Sequence, residues 1–476
     1  MRRTLEMLVR WLAEALIRLY YPHRAVQGAD RIPAGRPVVF VANHPNGLLD
    51  PLLLRVATGR PARFLAKSTL FGNPIARLAM TSFGSIPVYR AHESGARGTD
   101  TSRNEESFAL CRAALAQGEA LALFPEGVSH SDPQLRPLKT GAARIALSAE
   151  AEQDGRLDLT VVPIGLYYER KVLFRSRVLL VVGEPLRVAP LLPGYRADQR
   201  ASVDALTDDI RARLDEVVLQ AESRELLAGV ARVARWTGPP GTTPEGQGQG
   251  QGPGDDNGDG DARGGDLAAQ HRYARELLGA YGRLRARDPE RVEAIAAQAR
   301  AYERVLRHLG VRDPWALEVE LVSPLTAALT VLRLLVSFPV AIAGAVLGYL
   351  PYRLAGEVAK RTTKDDDVLG TVKMLAGALF LWLAWSGEAI AAGVCWGARW
   401  IAPVFLFAVA SGYVALRFDE LRGETGEALR HLWLRLRHRH TARELAAHRR
   451  ALAEAGTAAL RDASSSSDPL SPRPPI

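Results

Sequence analysis

The spacing of apolar and polar residues changes three times along the chain, and each change predicts a different kind of structure. Over the first twenty residues Leu5, Leu8, Leu12, Leu16 and Leu19 recur at helical spacing, while Arg3, Glu6, Arg10, Glu14 and Arg18 occupy another face. Residues 1–24 are therefore read as an amphipathic helix. Glu6, Arg10 and Glu14 interrupt the apolar core that a secretory leader needs, so no cleaved signal is expected. Such a helix either packs on the domain that follows or lies in a membrane interface, where Trp11, Tyr20 and Tyr21 fit; the pattern leaves both readings open.

From residue 25 to 236 short β-rich runs alternate with amphipathic stretches. Strands are expected at Pro37–Ala42, Arg63–Ala66, Ser85–Tyr89, Ala120–Phe124, Leu159–Leu166 and Val178–Val182, with helices at Glu105–Ala116, Thr140–Glu150 and Ser202–Ala234. The runs are apolar on both faces, which argues an α/β domain with a largely parallel or mixed central sheet, flanked by helices.

Residues 237–266 are dense in Gly, Pro and Asp and read as a flexible linker. Asp255, Asn257, Asp259, Gly260 and Asp266 fall on calcium-loop offsets, but Gly and Gln repeats lead in and Ala262 stands where a bulky apolar residue belongs, so an acidic solvated linker is the better reading. Residues 267–320 return to helical periodicity with dense charge. Three uncharged runs follow within residues 321–416, namely Leu334–Leu350, Met374–Ala398 broken by Glu388, and Trp400–Leu416. The first is short and contains Pro339, so it is expected to dip into the bilayer without crossing, beside a hairpin of the other two; two full crossings with a surface segment fit nearly as well. A basic cytoplasmic helix over 417–462 and a disordered tail over 463–476 complete the chain. His431, His438, His440 and His448 lie in or near that helix, but no Cys or carboxylate grouping supports a metal site.

Composition adds little to this picture. Lys and Arg exceed Asp and Glu by 61 to 52, a surplus that suits an anionic surface or phosphate-bearing ligands. Cys111 and Cys395 are too few for a disulfide framework, and a reducing compartment is the default.

The candidate chemistry sits at strand ends. The first strand of the α/β region runs into Asn43, His44, Pro45, Asn46, Gly47, Leu48, Leu49 and Asp50. A His at the carboxyl end of a buried strand is placed to act as a base. On a continuous helix, six residues turn through about 600 degrees and would separate His44 from Asp50. Pro45 and Gly47 permit a bend that lets Asp50 accept a hydrogen bond from the imidazole, leaving the other ring nitrogen to take a proton from a hydroxyl. Arg90 ends the segment Phe83–Arg90 and could clamp a phosphate. Phe124, Pro125, Glu126, Gly127, Val128, Ser129 and His130 follow another strand, with Lys139 before a helix start that suits an anion. Val161–Gly165 is a further apolar strand end that could wall an acyl pocket.

In this order and spacing, over roughly Val38–Glu184, the four segments resemble the phospholipid and glycerol acyltransferase family. The resemblance implies a glycerol-phosphate acyltransferase-like α/β domain, followed by an all-α membrane-associated C-terminal region. It implies His44 as general base, Asp50 as its partner, Arg90 on the acceptor phosphate, and Glu126 with Gly127 shaping the acceptor site, with Lys67 and Lys139 as further candidates. Five residues separate His44 from Asp50 where the common pattern has four, and Val128 and Ser129 stand where Thr and Arg are more usual. Both features resemble a subgroup that includes glycerol-3-phosphate and dihydroxyacetone phosphate acyltransferases.

The expected function is that of a membrane-bound O-acyltransferase, moving an acyl group from acyl-CoA or acyl carrier protein to a glycerol phosphate hydroxyl (glycerol-3-phosphate, dihydroxyacetone phosphate or lysophosphatidate). The expected partners are a phospholipid membrane and these two substrates, with no nucleic acid, no cofactor and no metal. The expected location is the cytoplasmic membrane, with the catalytic domain facing the cytoplasm. Two alternatives are a lipid hydrolase, for which Ser129, His130, Ser131 and Asp132 juxtapose triad residue types, and an inactive membrane scaffold.

Overall fold

A computed structural model describes residues 2–89, 101–238, 267–311, 324–363 and 365–464. Arg90, the acidic linker with its calcium-loop offsets, and the Ser- and Pro-rich tail beyond 464 lie outside the described residues. The chain divides into two compact units, Met1–Gln220 with Gly356–Ala378, and Ala221–Ala355 with Leu379–Ile476.

The first unit is built on eight strands: β1 (Arg24–Gln27), β2 (Val38–Ala42), β3 (Ala62–Lys67), β4 (Ile86–Val88), β5 (Ala120–Leu123), β6 (Thr160–Tyr168), β7 (Val178–Val182) and β8 (Leu186–Arg187). Their order across the sheet is β1-β7-β6-β2-β5-β3-β4, with β8 paired to β6. Strands β4, β3, β5, β2 and β6 run parallel, whereas β7 and β8 are antiparallel to β6. The sheet is therefore mixed. β2, β5 and β7 are buried at every position, as unbroken apolar runs require when helices cover both faces. All six strands expected from the sequence form; β1 and β8 are too short and polar to have been legible.

The helices of this unit are α1 (Arg2–Tyr20), α2 (Leu49–Thr58), α3 (Pro74–Ser82), α4 (Thr101–Ala116), α5 (Gly141–Glu152), α6 (Leu192–Ala197) and α7 (Gln199–Val217). Val38, Phe40 and Ala42 share a core with Ile17 and Tyr21 from the α1 end and Leu49, Leu52 and Leu53 of α2. α5 and α7 pack on β2 and β6. α1 answers its two-fold expectation in part: Ile17 is buried against the domain, while Leu5, Leu8, Trp11 and Leu12 stay exposed on its other side.

Two expectations are corrected here. The single helix over Ser202–Ala234 is two, because Val218 turns extended and Ser223 caps a new helix, α8 (Arg224–Thr237), by accepting from the Leu226 N–H. Val161–Gly165 is not a strand end: β6 continues to Tyr168, and Gly165 packs so closely under α7 that a Cβ there would stand 2.2 Å from the Val217 carbonyl oxygen. It is sheet interior, not a pocket wall.

The second unit is helical. α8 packs on α9 (Leu267–Arg287), which pairs with α10 (Pro289–Leu309) across the Asp288 cap. Three long helices follow, α11 (Pro324–Thr362), α12 (Asp366–Trp396) and α13 (Ile401–Arg437), and then α14 (Arg439–Ser464). The first apolar run does not turn back as expected. α11 is continuous through Pro339 and Pro351: proline's φ is helical, and the lost backbone bond and ring clash with the preceding turn are tolerated in a long apolar helix of this kind. Segments Ala328–Thr362, Asp367–Trp396 and Ala398–Glu427 are each long and apolar enough to cross a bilayer, and this region is membrane-associated. Small residues let its helices approach: a Cβ on Gly344 of α11 would stand 2.0 Å from the Ser411 carbonyl oxygen of α13.

Replacing Gly344 by Ala should therefore force α11 and α13 apart, costing about 1–3 kcal/mol, whereas Gly356→Ala, with open space around it, should be neutral or stabilising. Melting temperatures of the two variants in detergent test the contrast; equal shifts would contradict the crossing.

A second expectation concerns topology. α14 packs on α9 and α10, Arg291 Nη1 meets Asp462 Oδ2 at 2.7 Å, and Arg430 donates to the Gly310 carbonyl. Residues 267–311 and 439–464 are therefore expected to share one side of the bilayer, in which case the chain between them should cross an even number of times and at least one of the three apolar helices should not traverse. Arg272→Cys and Glu454→Cys, placed singly in a chain cleared of Cys111 and Cys395, should react with an impermeant maleimide from the same side. Labelling from opposite sides would contradict this parity.

Candidate active site

Five parallel strands deliver their carboxyl ends to one edge of the sheet, where open α/β folds place their ligand crevices. β2, near the middle, carries Asn43 and His44 past its end. Asn43 is locked to the neighbouring strand, accepting from the Leu166 N–H at 2.7 Å and donating to the Leu166 carbonyl at 3.2 Å. The chain then bends through Pro45, Asn46 and Gly47, whose φ of +32° suits glycine, and enters α2 at Leu49. This bend brings the first turn of α2 back to the imidazole.

His44 Nδ1 lies 2.9 Å from Asp50 Oδ2. Asp50 is fully buried, and its carboxylate also accepts from the Asn46 N–H at 2.7 Å and from the Tyr168 hydroxyl at 2.5 Å. Asp50 already accepts from a backbone N–H and a hydroxyl, so the imidazole meets it with its Nδ1–H and leaves Nε2 able to take a proton. The ring stacks on Phe124 at a centroid distance of 4.1 Å, and His44 remains partly open to solvent.

A second buried carboxylate fixes the other side of the loop. Glu126, beyond the end of β5, accepts from the His44 N–H at 3.1 Å and from the Arg136 N–H at 2.8 Å. It also accepts from His130 Nε2. The Asp132 N–H donates to His130 Nδ1, so the proton of that ring sits on Nε2, facing Glu126. The His130 N–H returns to the His44 carbonyl at 3.0 Å. Gly127 has φ +76°, and the Lys139 chain runs across it, Nζ standing 2.5 Å from where a Cβ would be. The turn thus requires glycine and gathers Glu126, Gly127 and Lys139 together.

Of the residues singled out in the sequence, His44, Asp50, Glu126, Gly127 and Lys139 come together at this edge. Lys67 ends β3, which β5 separates from β2, so it lies farther along the edge and has no bond to the imidazole described. Arg90, two residues past the end of β4, is outside the described residues. The residue types of a hydrolytic triad are adjacent in sequence but diverge in space: His130 goes to Glu126, Ser129 Oγ donates to Asp367, and Ser131 Oγ meets Lys171 Nζ. These residues therefore do not form the serine–histidine–carboxylate chain that the hydrolase alternative needs.

Several residues of the site were not found from the sequence. Tyr168 reaches Asp50 from the far end of β6, and Tyr21 accepts from Asn46 Nδ2 at 3.0 Å while donating to the Lys171 carbonyl at 2.9 Å. Burial, followed by the Asp50 carboxylate and Tyr21, pushes the Tyr168 hydroxyl well above its ordinary range. Burial, then Tyr20 and Asp50, does the same to Tyr21. Both stay protonated donors at any physiological pH. Lys171 Nζ donates to the Pro45 carbonyl at 2.9 Å, tying the β6–β7 connection to the loop. The one sequence signal for these partners was the tyrosine pair Tyr20–Tyr21 at the end of α1, read as suiting an interface.

Comparison with known proteins fits this geometry. Residues 23–167 match the family model described as Acyltransferase. An uncharacterised acyltransferase of Schizosaccharomyces pombe is 25% identical over 300 residues, covering 46% of this chain and 44% of that protein. Glycerol-3-phosphate O-acyltransferase 2 of Saccharomyces cerevisiae is 35% identical over 133 residues, 28% of this chain and 18% of its own. A chloroplastic 1-acyl-sn-glycerol-3-phosphate acyltransferase of Brassica napus is 27% identical over 192 residues, 40% of this chain and 49% of its own. The chain spans less than half the length of each of these relatives. The crystal structure of the 1-acyl-sn-glycerophosphate acyltransferase PlsC from Thermotoga maritima aligns with 44% of this chain and 82% of its own, at 18% identity and a TM-score of 0.31. Over residues 23–167, which include His44, Asp50 and Glu126, this chain matches the Acyltransferase family model and is similar to glycerol-3-phosphate and 1-acylglycerol-3-phosphate acyltransferases.

Proposed function

We propose that this protein is a membrane-bound O-acyltransferase that moves a fatty acyl group from acyl-CoA or acyl carrier protein to a hydroxyl of a glycerol phosphate acceptor. The observation that carries the reading is the His44–Asp50 pair, with Nδ1 engaged by a buried carboxylate and Nε2 left to act at the carboxyl edge of a parallel sheet. Relatives named for glycerol-3-phosphate and 1-acylglycerol-3-phosphate support both acceptor classes.

In the proposed reaction His44 Nε2 takes the proton of the acceptor hydroxyl as its oxygen attacks the thioester carbonyl. Collapse of the tetrahedral intermediate breaks the carbon–sulfur bond, and the imidazolium returns the proton to the departing thiolate. Asp50 holds the tautomer throughout. No covalent acyl-enzyme and no resident cofactor enter this scheme. Lys139, beside the Glu126–Gly127 turn, supplies positive charge for the acceptor phosphate, and Arg90 and Lys67 are assigned the same role. The C-terminal apolar helices, together with the exposed apolar side of α1, hold the enzyme at the membrane, with the catalytic domain on the cytoplasmic face where acyl donors are made.

Purified protein given labelled acyl-CoA, or acyl carrier protein, with glycerol-3-phosphate, dihydroxyacetone phosphate and lysophosphatidate in turn should label at least one acceptor. Failure with every pair would refute the reading.

His44→Ala should abolish transfer without unfolding the domain. Asp50→Asn should cost orders of magnitude in kcat by favouring the wrong tautomer. Tyr168→Phe removes only one of three donors to Asp50, so its loss should be smaller, about ten-fold. Rates per folded enzyme test this ranking; a Tyr168→Phe defect as large as that of Asp50→Asn would give the tyrosine a larger role.

A further inference from the structure

The opening turns of α12 lie far outside residues 23–167, yet they belong to the same compact unit as the α/β domain. Their contacts fall on the loop that carries the imidazole. Gly370 is buried, and a Cβ there would stand 3.1 Å from both Asn46 Oδ1 and Leu49 Cδ1. Facing it, a Cβ on Gly47 would stand 3.0 Å from the Asp367 carbonyl oxygen and 3.6 Å from Thr371 Oγ1. The two backbones therefore approach each other through glycine on both sides.

Other contacts extend this docking. The Asp367 carboxylate accepts from Ser129 Oγ, in the turn that also holds Glu126 and His130. Lys373 Nζ donates to the Val172 carbonyl at 3.3 Å, next to the Lys171 that ties down Pro45. Met374 is buried in the core shared by Tyr21, Leu49 and Leu53. α12 thus touches the His44–Asp50 loop and both segments that brace it. Thr371 Oγ1 and Asn46 Oδ1 are buried at this contact without a hydrogen-bond partner among the described residues. An orphaned polar atom is destabilising, so the arrangement is not the one that stability alone would select.

We propose that Asp367, Gly370 and Thr371 are positioning residues of the active site, and that the docked start of the membrane-associated helix α12 holds Asn46 and Gly47 so that Asp50 can orient His44. The proposal rests on the acyl-transfer reading above. Its physical basis is the length of the loop. Five residues, a left-handed glycine among them, separate His44 from Asp50, and Asn46 sits within the loop, fully buried, giving its N–H to Asp50 and its amide to Tyr21. Nothing within such a loop fixes its outer side, and a displacement of about 1 Å at a general base is enough to slow a reaction by about 100-fold.

The test compares one substitution at two places on one helix. Gly370→Leu should lower kcat about 100-fold with KM changed less than about three-fold, because it moves the base and touches no substrate. Gly387→Leu, where the glycine has open space, should leave both constants unchanged. Asp367→Asn keeps an acceptor for Ser129 and should retain most of the rate that Asp367→Ala loses. In a chain cleared of Cys111 and Cys395, Ser129→Cys with Asp367→Cys should be bridged by a short bis-thiol reagent. Absence of that bridge, or an unchanged kcat in Gly370→Leu, overturns the proposal; if Gly370→Leu does not fold, equal rates for Asp367→Ala and Asp367→Asn overturn it. Bridging of the doubly substituted chain, together with a wild-type chain that labels no acceptor, counts against the acyl-transfer reading and leaves the docking standing.

Discussion

The Asp50 carboxylate is the constraint around which the site is arranged. A fully buried charge is expensive unless it is hydrogen-bonded, and here the imidazole, the Asn46 N–H and the Tyr168 hydroxyl supply three donors. Meeting that requirement dictates the rest. The chain after β2 has to bend so that α2 begins beside His44, Asn46 has to turn inward, and the last residue of β6 has to be a hydrogen-bonding aromatic. Tyr21, a residue from the end of α1, completes the set by receiving the Asn46 amide.

Glu126 repeats the device on the other side of the imidazole. It too is buried and fully engaged, by two backbone N–H groups and the His130 ring. His44 is thereby held through its side chain by one carboxylate and through its main chain by another. A base braced in this way enters the reaction already oriented, which reduces reorganisation in the transition state. The parallel sheet makes the arrangement possible, because it brings the ends of β2, β5 and β6 to a common edge.

The helical unit follows different physics. In a membrane-associated region the hydrophobic effect does not drive one apolar helix against another, so close approach depends on small residues, as at Gly344 and Ser411. The packing of α14 on α9 and α10 then limits how the apolar helices can traverse a bilayer, a restriction that charge counting alone suggested but could not impose.

Periodicity and composition alone marked the alternation of strands and helices, the three apolar runs and the amphipathic start, because burial on a sheet face or a helix stripe leaves a local trace in spacing. Local chemistry also pointed to His44 and Asp50, since a base and its partner lie within a few residues of each other, whereas the roles of Glu126 and Gly127, 82 residues further along, came only from the resemblance to a known family. What escaped was everything whose partner is distant in the chain. Tyr168 meets Asp50 across 118 positions and Ser129 meets Asp367 across 238, and no short-range pattern records such a pairing. The path of α11 through its two prolines was likewise decided by the whole helix and its neighbours, where local propensity had pointed to a break. Sequence spacing determined which groups could do chemistry; only the tertiary structure decided which of them are held still, because holding a buried polar group requires donors that the folded chain gathers from opposite ends.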